Sequence, residues 1–269
     1  MSRDQNHGAL SVRGLTVDFG AVRAVNDVSF DIAPGSIVGL IGPNGAGKTT
    51  ILDGICSLVT ASGEVWIGGV DVTDQGASQR SRRGLGRSFQ DARLFTGLTV
   101  RETIAIGLQR HLPPLGYLPI ALGLGRRQER DVREAVDELV DLMGLGDYAD
   151  KFVSELSTGT RRIVDLATVV AHEPQVLLLD EPSSGIAQRE AEALGPVILQ
   201  IRDRLDCTVL IVEHDMPLIT GITDELLAFT TGTLIARGEP TAVVNDPLVV
   251  ESYLGTNASV IQRSGAAAN

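Results

Sequence analysis

A short apolar run, Ser36 to Ile41, leads straight into Gly42-Pro43-Asn44-Gly45-Ala46-Gly47-Lys48-Thr49, and a helical stretch from Lys48 to Leu58 follows. Few local sequences constrain a fold as tightly. The glycines let backbone N–H groups curl around an anion, and the helix opening at Lys48 aims its positive dipole end at the same point. The strand that delivers this loop needs partners. Val176 to Leu179 and Thr208 to Val212 supply them as continuous apolar runs, the pattern of strands covered on both faces. An α/β architecture follows.

The rest of the chain divides around this core. Leu10 to Asp18 and Val22 to Ile32 alternate as strands, Pro34-Gly35 marks a turn, and Glu64–Ile67, Gly68-Gly69 and Val70–Val72 read as a hairpin. In the middle, Val132, Ala135, Val136, Leu139, Val140 and Met143 recur at i, i+3, i+4 and i+7 within Glu129–Met143. That spacing predicts an amphipathic helix, and residues from about 96 to 159 read as a helical insertion. Within it, Leu112 to Pro119 is too rich in proline for regular helix. Strand and helix alternation then resumes: a helix over 189–205, strands over Leu226–Phe229 and Leu234–Ala236, and short helical turns to Leu254. One domain over 10–255 is expected, with core segments 10–95 and 160–255 and tails at 1–9 and 256–269.

Charge and cysteines narrow the classes. A net charge of −11 argues against a general nucleic-acid surface. Cys56 and Cys207, the only two cysteines, have no metal-type spacing and read as buried small hydrophobes in a reducing compartment. The first residues, Met1 to His7, do not have the pattern of a signal peptide. No uninterrupted apolar run is long enough to span a bilayer. Arg80, Arg82, Arg83 and Arg87 are read as a solvated helical face.

The chemistry-bearing residues are few. Lys48 would reach the β- and γ-phosphates of a nucleoside triphosphate, and Thr49 would offer its hydroxyl to Mg²⁺. Asp180 ends an apolar strand, where a carboxylate can hold Mg²⁺, and Glu181 next to it can take a proton from an attacking water. Upstream, Leu156-Ser157-Thr158-Gly159 opens a helix running from about Thr160 to Ala171. Its N-terminus offers a hydroxyl, free N–H groups and a positive dipole, a second anion site.

Taken in order, these motifs resemble the nucleotide-binding subunit of ATP-binding cassette (ABC) transporters over Leu10 to Leu254. The resemblance implies a P-loop NTPase core with an N-terminal antiparallel β subdomain and a helical subdomain insertion. It assigns Gly42, Asn44, Gly45, Ala46, Gly47, Lys48, Thr49 and Thr50 to ATP binding and Asp180-Glu181 to metal binding and general-base catalysis. Gln90, after Ser88-Phe89, matches a glutamine that senses Mg²⁺ and relays to the membrane subunit. His214 in Val212-Glu213-His214-Asp215 matches a histidine on the γ-phosphate, and Phe19 an aromatic that stacks on adenine. Ser157 and Gly159 match the signature that caps the γ-phosphate held by a second subunit. The implied cofactors are ATP and Mg²⁺. The implied partners are a second ABC ATPase subunit, identical or paralogous, integral membrane permeases and, for an importer, a substrate-binding protein. The implied location is the cytoplasmic face of a bacterial membrane, peripherally bound.

Departures from that pattern are Thr158 where glycine is frequent, Thr160 where glutamine is common, and Ala187 where many members carry Asp or Asn across the dimer. Ala24–Ser29, Arg87-Ser88-Phe89-Gln90, Arg93-Leu94-Phe95 and Asn245-Asp246-Pro247 to Tyr253-Leu254-Gly255 resemble the branched-chain and hydrophobic amino-acid uptake group. A soluble ABC ATPase of the Fe–S assembly type and an exporter subunit are the alternatives. The interval between Gln90 and Ser157 lacks the heptads of a repair ATPase. The presence of Glu181 and His214 disfavours a module that binds ATP without hydrolysis. The permease contact is expected around Gln90 to Thr99, with Leu112 to Leu124 as a further candidate.

Overall fold

The computed structural model describes residues 9–89, 94–108, 124–186 and 188–253. The chain opens with a four-stranded antiparallel sheet in the order β2-β1-β4-β5, made by β1 (Leu10–Phe19), β2 (Val22–Ile32), β4 (Ser62–Ile67) and β5 (Val70–Asp71). Leu10, Val12, Leu15 and Val17 of β1 and Val25, Val28, Phe30 and Ile32 of β2 are buried, as their alternation dictates.

The second sheet runs β10-β9-β3-β8-β7-β6. Its strands are β3 (Ile37–Ile41), β6 (Leu85–Arg87), β7 (Val176–Asp180), β8 (Thr208–Val212), β9 (Glu225–Thr230) and β10 (Thr233–Gly238). All neighbours are parallel except β9 and β10. The continuous apolar runs have the cause expected of them. Leu177 and Leu179 of β7 join one core, while Val176 and Leu178 join the other. In β8, Val209 and Ile211 face the first core, and Leu210 and Val212 the second. Each buried aliphatic side chain contributes about 1.5–3 kcal/mol. Alternation is absent from the sequence because water reaches neither face.

The second core also holds α1 (Lys48–Ile55), packed between the two sheets. The first core is covered by α3 (Val100–Leu108), α4 (Leu124–Leu142), α5 (Thr158–Val170), α6 (Gln188–Leu205) and α7 (Met216–Ile222). Two short helices, α2 (Ala77–Arg82) and α8 (Pro240–Val244), complete the set described. Between β6 and β7 the described chain contains α3, α4, two short 3₁₀ turns and α5. Val136, Val140 and Met143 are buried there, on the face that the helical spacing picks out. Leu112 to Pro119 lies outside the described residues.

Two expectations need correction. The first helix stops at Ile55, short of Leu58. Ser57 takes a left-handed φ of 57°, its N–H donates to Gly54 O (3.1 Å), and Leu58 N–H donates to Asp53 O (2.9 Å). This is a Schellman cap without the usual glycine, so the sequence shows no stop. Arg80 also leaves the solvated face assigned to it. It is buried, and its NH1 donates to Gly54 O (3.1 Å) and Ile55 O (2.7 Å). The helix end leaves carbonyls that need donors, and a guanidinium from α2 supplies them. Arg82 and Arg83 are exposed, as expected. Cys56 and Cys207 are buried free thiols, and burial pushes each pKa up to about 11, which keeps them inert.

Candidate active site

The site gathers at the C-terminal edge of the parallel strands, where β3, β7 and β8 release their loops. Gly42 follows β3 with φ 151°, and a Cβ there would lie 2.2 Å from Phe229 O, so only glycine fits. Its N–H donates to the Tyr253 hydroxyl (2.8 Å), which joins the C-terminal segment to the loop. The turn after β9 docks on the same loop, with Gly232 N–H donating to Ala46 O (3.0 Å). Asn44 and Gly45 are exposed, and Ala46 is buried. Gly47 precedes α1 in a left-handed conformation (φ 92°) with no side-chain cap. The N–H groups of Lys48, Thr49 and Thr50 make the first helical turn, where no intrahelical acceptor exists.

Lys48 is 6% exposed and donates to Gly42 O (2.7 Å) and Pro43 O (3.2 Å). Burial draws its pKa below the usual lysine value, and the charges of Glu181 and Asp180 oppose that fall. Thr49 Oγ1 donates to Asp180 Oδ1 (3.2 Å). Asp180 is 3% exposed at the end of β7. Burial raises its carboxyl above the ordinary aspartate value, while Arg87 and Thr49 hold it down. A hydroxyl beside a carboxylate is a hard-oxygen donor pair that suits Mg²⁺, which commonly takes one or two protein groups and fills its remaining positions with phosphate and water.

Glu181 has a left-handed φ of 48°, a strained conformation for a side-chain-bearing residue. Its N–H continues the ladder to Val212 O (2.9 Å), and its carbonyl accepts from Ser184 N–H (3.0 Å). These bonds hold the turn from which the carboxylate reaches His214. Its Oε1 lies 2.8 Å from His214 Nε2, so residues at the ends of β7 and just beyond β8 meet through their side chains. An ionised Glu181 accepts from an Nε2–H tautomer. Phe19 ends β1 half exposed, at 53%. Ser157 is the N-cap of α5, its Oγ accepting from Thr160 N–H (3.1 Å), with Gly159 buried in the first turn. Gln90 and Ala187 lie outside the described residues.

Three residues at this site carried no expected role. Glu213 is 1% exposed and accepts from Ser183 N–H (2.8 Å), Ser183 Oγ (2.7 Å) and His214 N–H (3.1 Å), pinning the turn after β7 to the start of the His214 loop. Tyr253 reaches Gly42 as described. Arg87 corrects the last part of the solvated-face expectation. Its side chain is 6% exposed, with NH1 on Asp53 (2.6 Å) and NH2 on Asp180 (3.1 Å). Its acidic partners lie far along the chain, so local charge pattern cannot find them. A carboxylate at a strand end, in Val212-Glu213-His214, is the one available signal for Glu213.

Nearby, Asp165 of α5 lines a small cavity with Ser88, Phe89, Arg162 and Pro182, and burial pushes its pKa to about 6. A carboxyl raised by folding costs stability once it must ionise. The native state binds the extra proton between about pH 4 and 6, so stability falls as pH rises through that window. Asp165→Asn is expected to gain up to about 3 kcal/mol at pH 7 and nothing below about pH 4. Thermal unfolding across this range checks it; a gain that does not depend on pH contradicts the assignment.

The comparisons agree with this arrangement. The ABC transporter family matches residues 25–184, and the branched-chain amino acid ATP-binding cassette transporter family matches residues 233–259. The chain is 33% identical over 252 residues to the high-affinity branched-chain amino acid transport ATP-binding protein LivG of Escherichia coli (strain K12), covering 91% of this chain and 97% of that one. It is 32% identical to the corresponding BraF protein of Pseudomonas aeruginosa over 249 residues, again 91% and 97%. Among solved structures, the ADP conformation of an ATP-binding cassette of an ABC transporter superposes with a TM-score of 0.78 at 26% identity, covering 92% and 98%. The chain belongs to the ABC transporter family, of which it carries the ATP-binding domain.

Proposed function

We propose that this chain is the ATP-hydrolysing subunit of a membrane transporter that takes up branched-chain amino acids or related small polar solutes. The observation that carries the hydrolytic part is the convergence of Lys48, Thr49, Asp180, Glu181 and His214 at one sheet edge. The uptake class is supported by the likeness to LivG and BraF and by the C-terminal match that contains Tyr253.

In this reading Phe19 stacks on adenine, and the N–H groups of Gly42 through Thr50 receive the phosphates, with Asn44, Gly45, Ala46 and Gly47 shaping the loop. Lys48 leaves the loop carbonyls and pairs with the β- and γ-phosphates. Thr49 and Asp180, with Gln90 as a further candidate, would hold Mg²⁺, which would supply charge compensation to the phosphate oxygens. Glu181 takes the proton of the attacking water, and His214 orients the Glu181 carboxylate and touches the γ-phosphate. Ser157 and Gly159 act on a nucleotide held by a second cassette, identical or paralogous.

No described helix is long and apolar enough to cross a membrane; in this reading integral permease subunits form the path across it. Phe89, Phe95 and Phe152 are 51%, 65% and 48% exposed. The last two lie on adjacent segments, joined by Val153 N–H to Leu98 O (2.9 Å) and Ser154 N–H to Thr96 O (3.2 Å). Exposed aromatics concentrated this way suit a protein partner, and we assign the permease contact to them and to Gln90 to Thr99. Such a subunit sits peripherally on the cytoplasmic face, with a substrate-binding protein on the other side.

The test is co-purification from membranes with the permeases present. The ATPase rate of that complex is expected to rise on adding the binding protein loaded with a branched-chain amino acid. A rate indifferent to the permeases rejects the transport reading.

A further inference from the structure

Arg87 takes no part in the roles above, yet it touches three of the site's supports. Its side chain is 6% exposed, its NH2 donates to Asp180 Oδ2 (3.1 Å), and its NH1 donates to Asp53 Oδ1 (2.6 Å) on α1. Its guanidinium lies 5.1 Å from the ring centre of Phe89, the residue before Gln90. Nε makes no hydrogen bond among the described residues, and the guanidinium also interacts with the buried Cys56 thiol. The two ion pairs are the strongest of these contacts and set its direction. The two oxygens of Asp180 are divided: Thr49 takes Oδ1 and Arg87 takes Oδ2. With Oδ2 fixed, the carboxylate cannot rotate away from Thr49.

We infer that Arg87 is the positioning residue of the metal site, fixing the plane of Asp180 so that one oxygen faces Thr49, and tying that carboxylate to helix α1 and to the Phe89 segment. This rests on the reading of Asp180 as a metal ligand. The planar fork of arginine suits this task, because its two nitrogens reach two carboxylates in fixed relative directions, whereas the three donors of a lysine ammonium radiate from one point on a flexible stem. The Phe89 end is itself anchored, since Arg162 NH1 of α5 donates to Phe89 O (2.9 Å). The metal carboxylate, the phosphate-loop helix and the helix capped by Ser157 therefore share a continuous set of contacts through Arg87 and Phe89.

The test measures Mn²⁺ affinity of the ATP-loaded chain, by the EPR signal of free ion, and ATP affinity in EDTA. All variants are made in a Glu181→Gln background so that ATP persists. Arg87→Met is expected to weaken Mn²⁺ binding about tenfold or more while metal-free ATP affinity changes less than about threefold, the scale of one charged hydrogen bond. Arg87→Lys, which keeps charge and bulk, is expected to fall between. Asp180→Asn separates the two levels. If it leaves Mn²⁺ affinity unchanged, Asp180 is not a metal ligand and the inference falls with that reading. If Asp180→Asn weakens Mn²⁺ and Arg87→Met does not, the reading stands and the inference is overturned. Equal losses in Mn²⁺ and metal-free ATP affinity for Arg87→Met reduce Arg87 to a general structural part, and full restoration by lysine removes the fork.

Discussion

Glu181→Gln is expected to keep ATP binding and to lower turnover by roughly 10² to 10⁴, the usual consequence of losing a general base. The amide keeps the shape of the carboxylate, and the backbone that aims it is fixed independently. Glu181 N–H stays bonded to Val212 O, and the left-handed turn is closed by Ser184 N–H. His214 Nε2, now 2.8 Å from Oε1, can still donate to the amide oxygen. What disappears is a group able to take a proton. Single-turnover hydrolysis with bound ATP measured separately isolates the chemical step. Near-normal turnover in this variant removes Glu181 from the mechanism.

Ser157→Arg is expected to abolish hydrolysis while each chain still binds ATP at its own Lys48 loop. Ser157 is exposed and caps α5 through Thr160 N–H. Losing the cap costs about 1 kcal/mol, too little to unfold the chain. The larger effect is steric: a long side chain fills the space in front of the helix N-terminus that a second subunit's phosphate would enter. Nucleotide binding by the isolated variant and its loss of ATP-driven dimer formation are read separately. Full activity in the variant homodimer refutes a site shared between subunits.

The backbone forms on which these two variants rest were legible in the sequence. The strand–loop–helix at Gly42–Thr49, the buried runs of β7 and β8, and the Ser157 cap each place their chemistry through local periodicity and turn geometry. The first helix end at Ile55 was not, because Ser57 adopts the left-handed cap that glycine normally announces. Gln90 was named from its motif but lies outside the described residues.

Local chain chemistry by itself determined the phosphate loop, the amphipathic α4, the order of the motifs and the strands other than β6, whose Arg87 reads locally as part of a helical face, because each depends on neighbours within a few residues. Tertiary structure alone decided which charges are partners. Arg80 and Arg87 look alike in a basic run; one caps α1 through carbonyls and the other divides itself between Asp53 and Asp180. Glu213 and Tyr253 likewise gain their roles only when β7, β8 and the C-terminal segment meet. A side chain's burial and its charged partner are set by segments far away in sequence, and no local pattern encodes that distance.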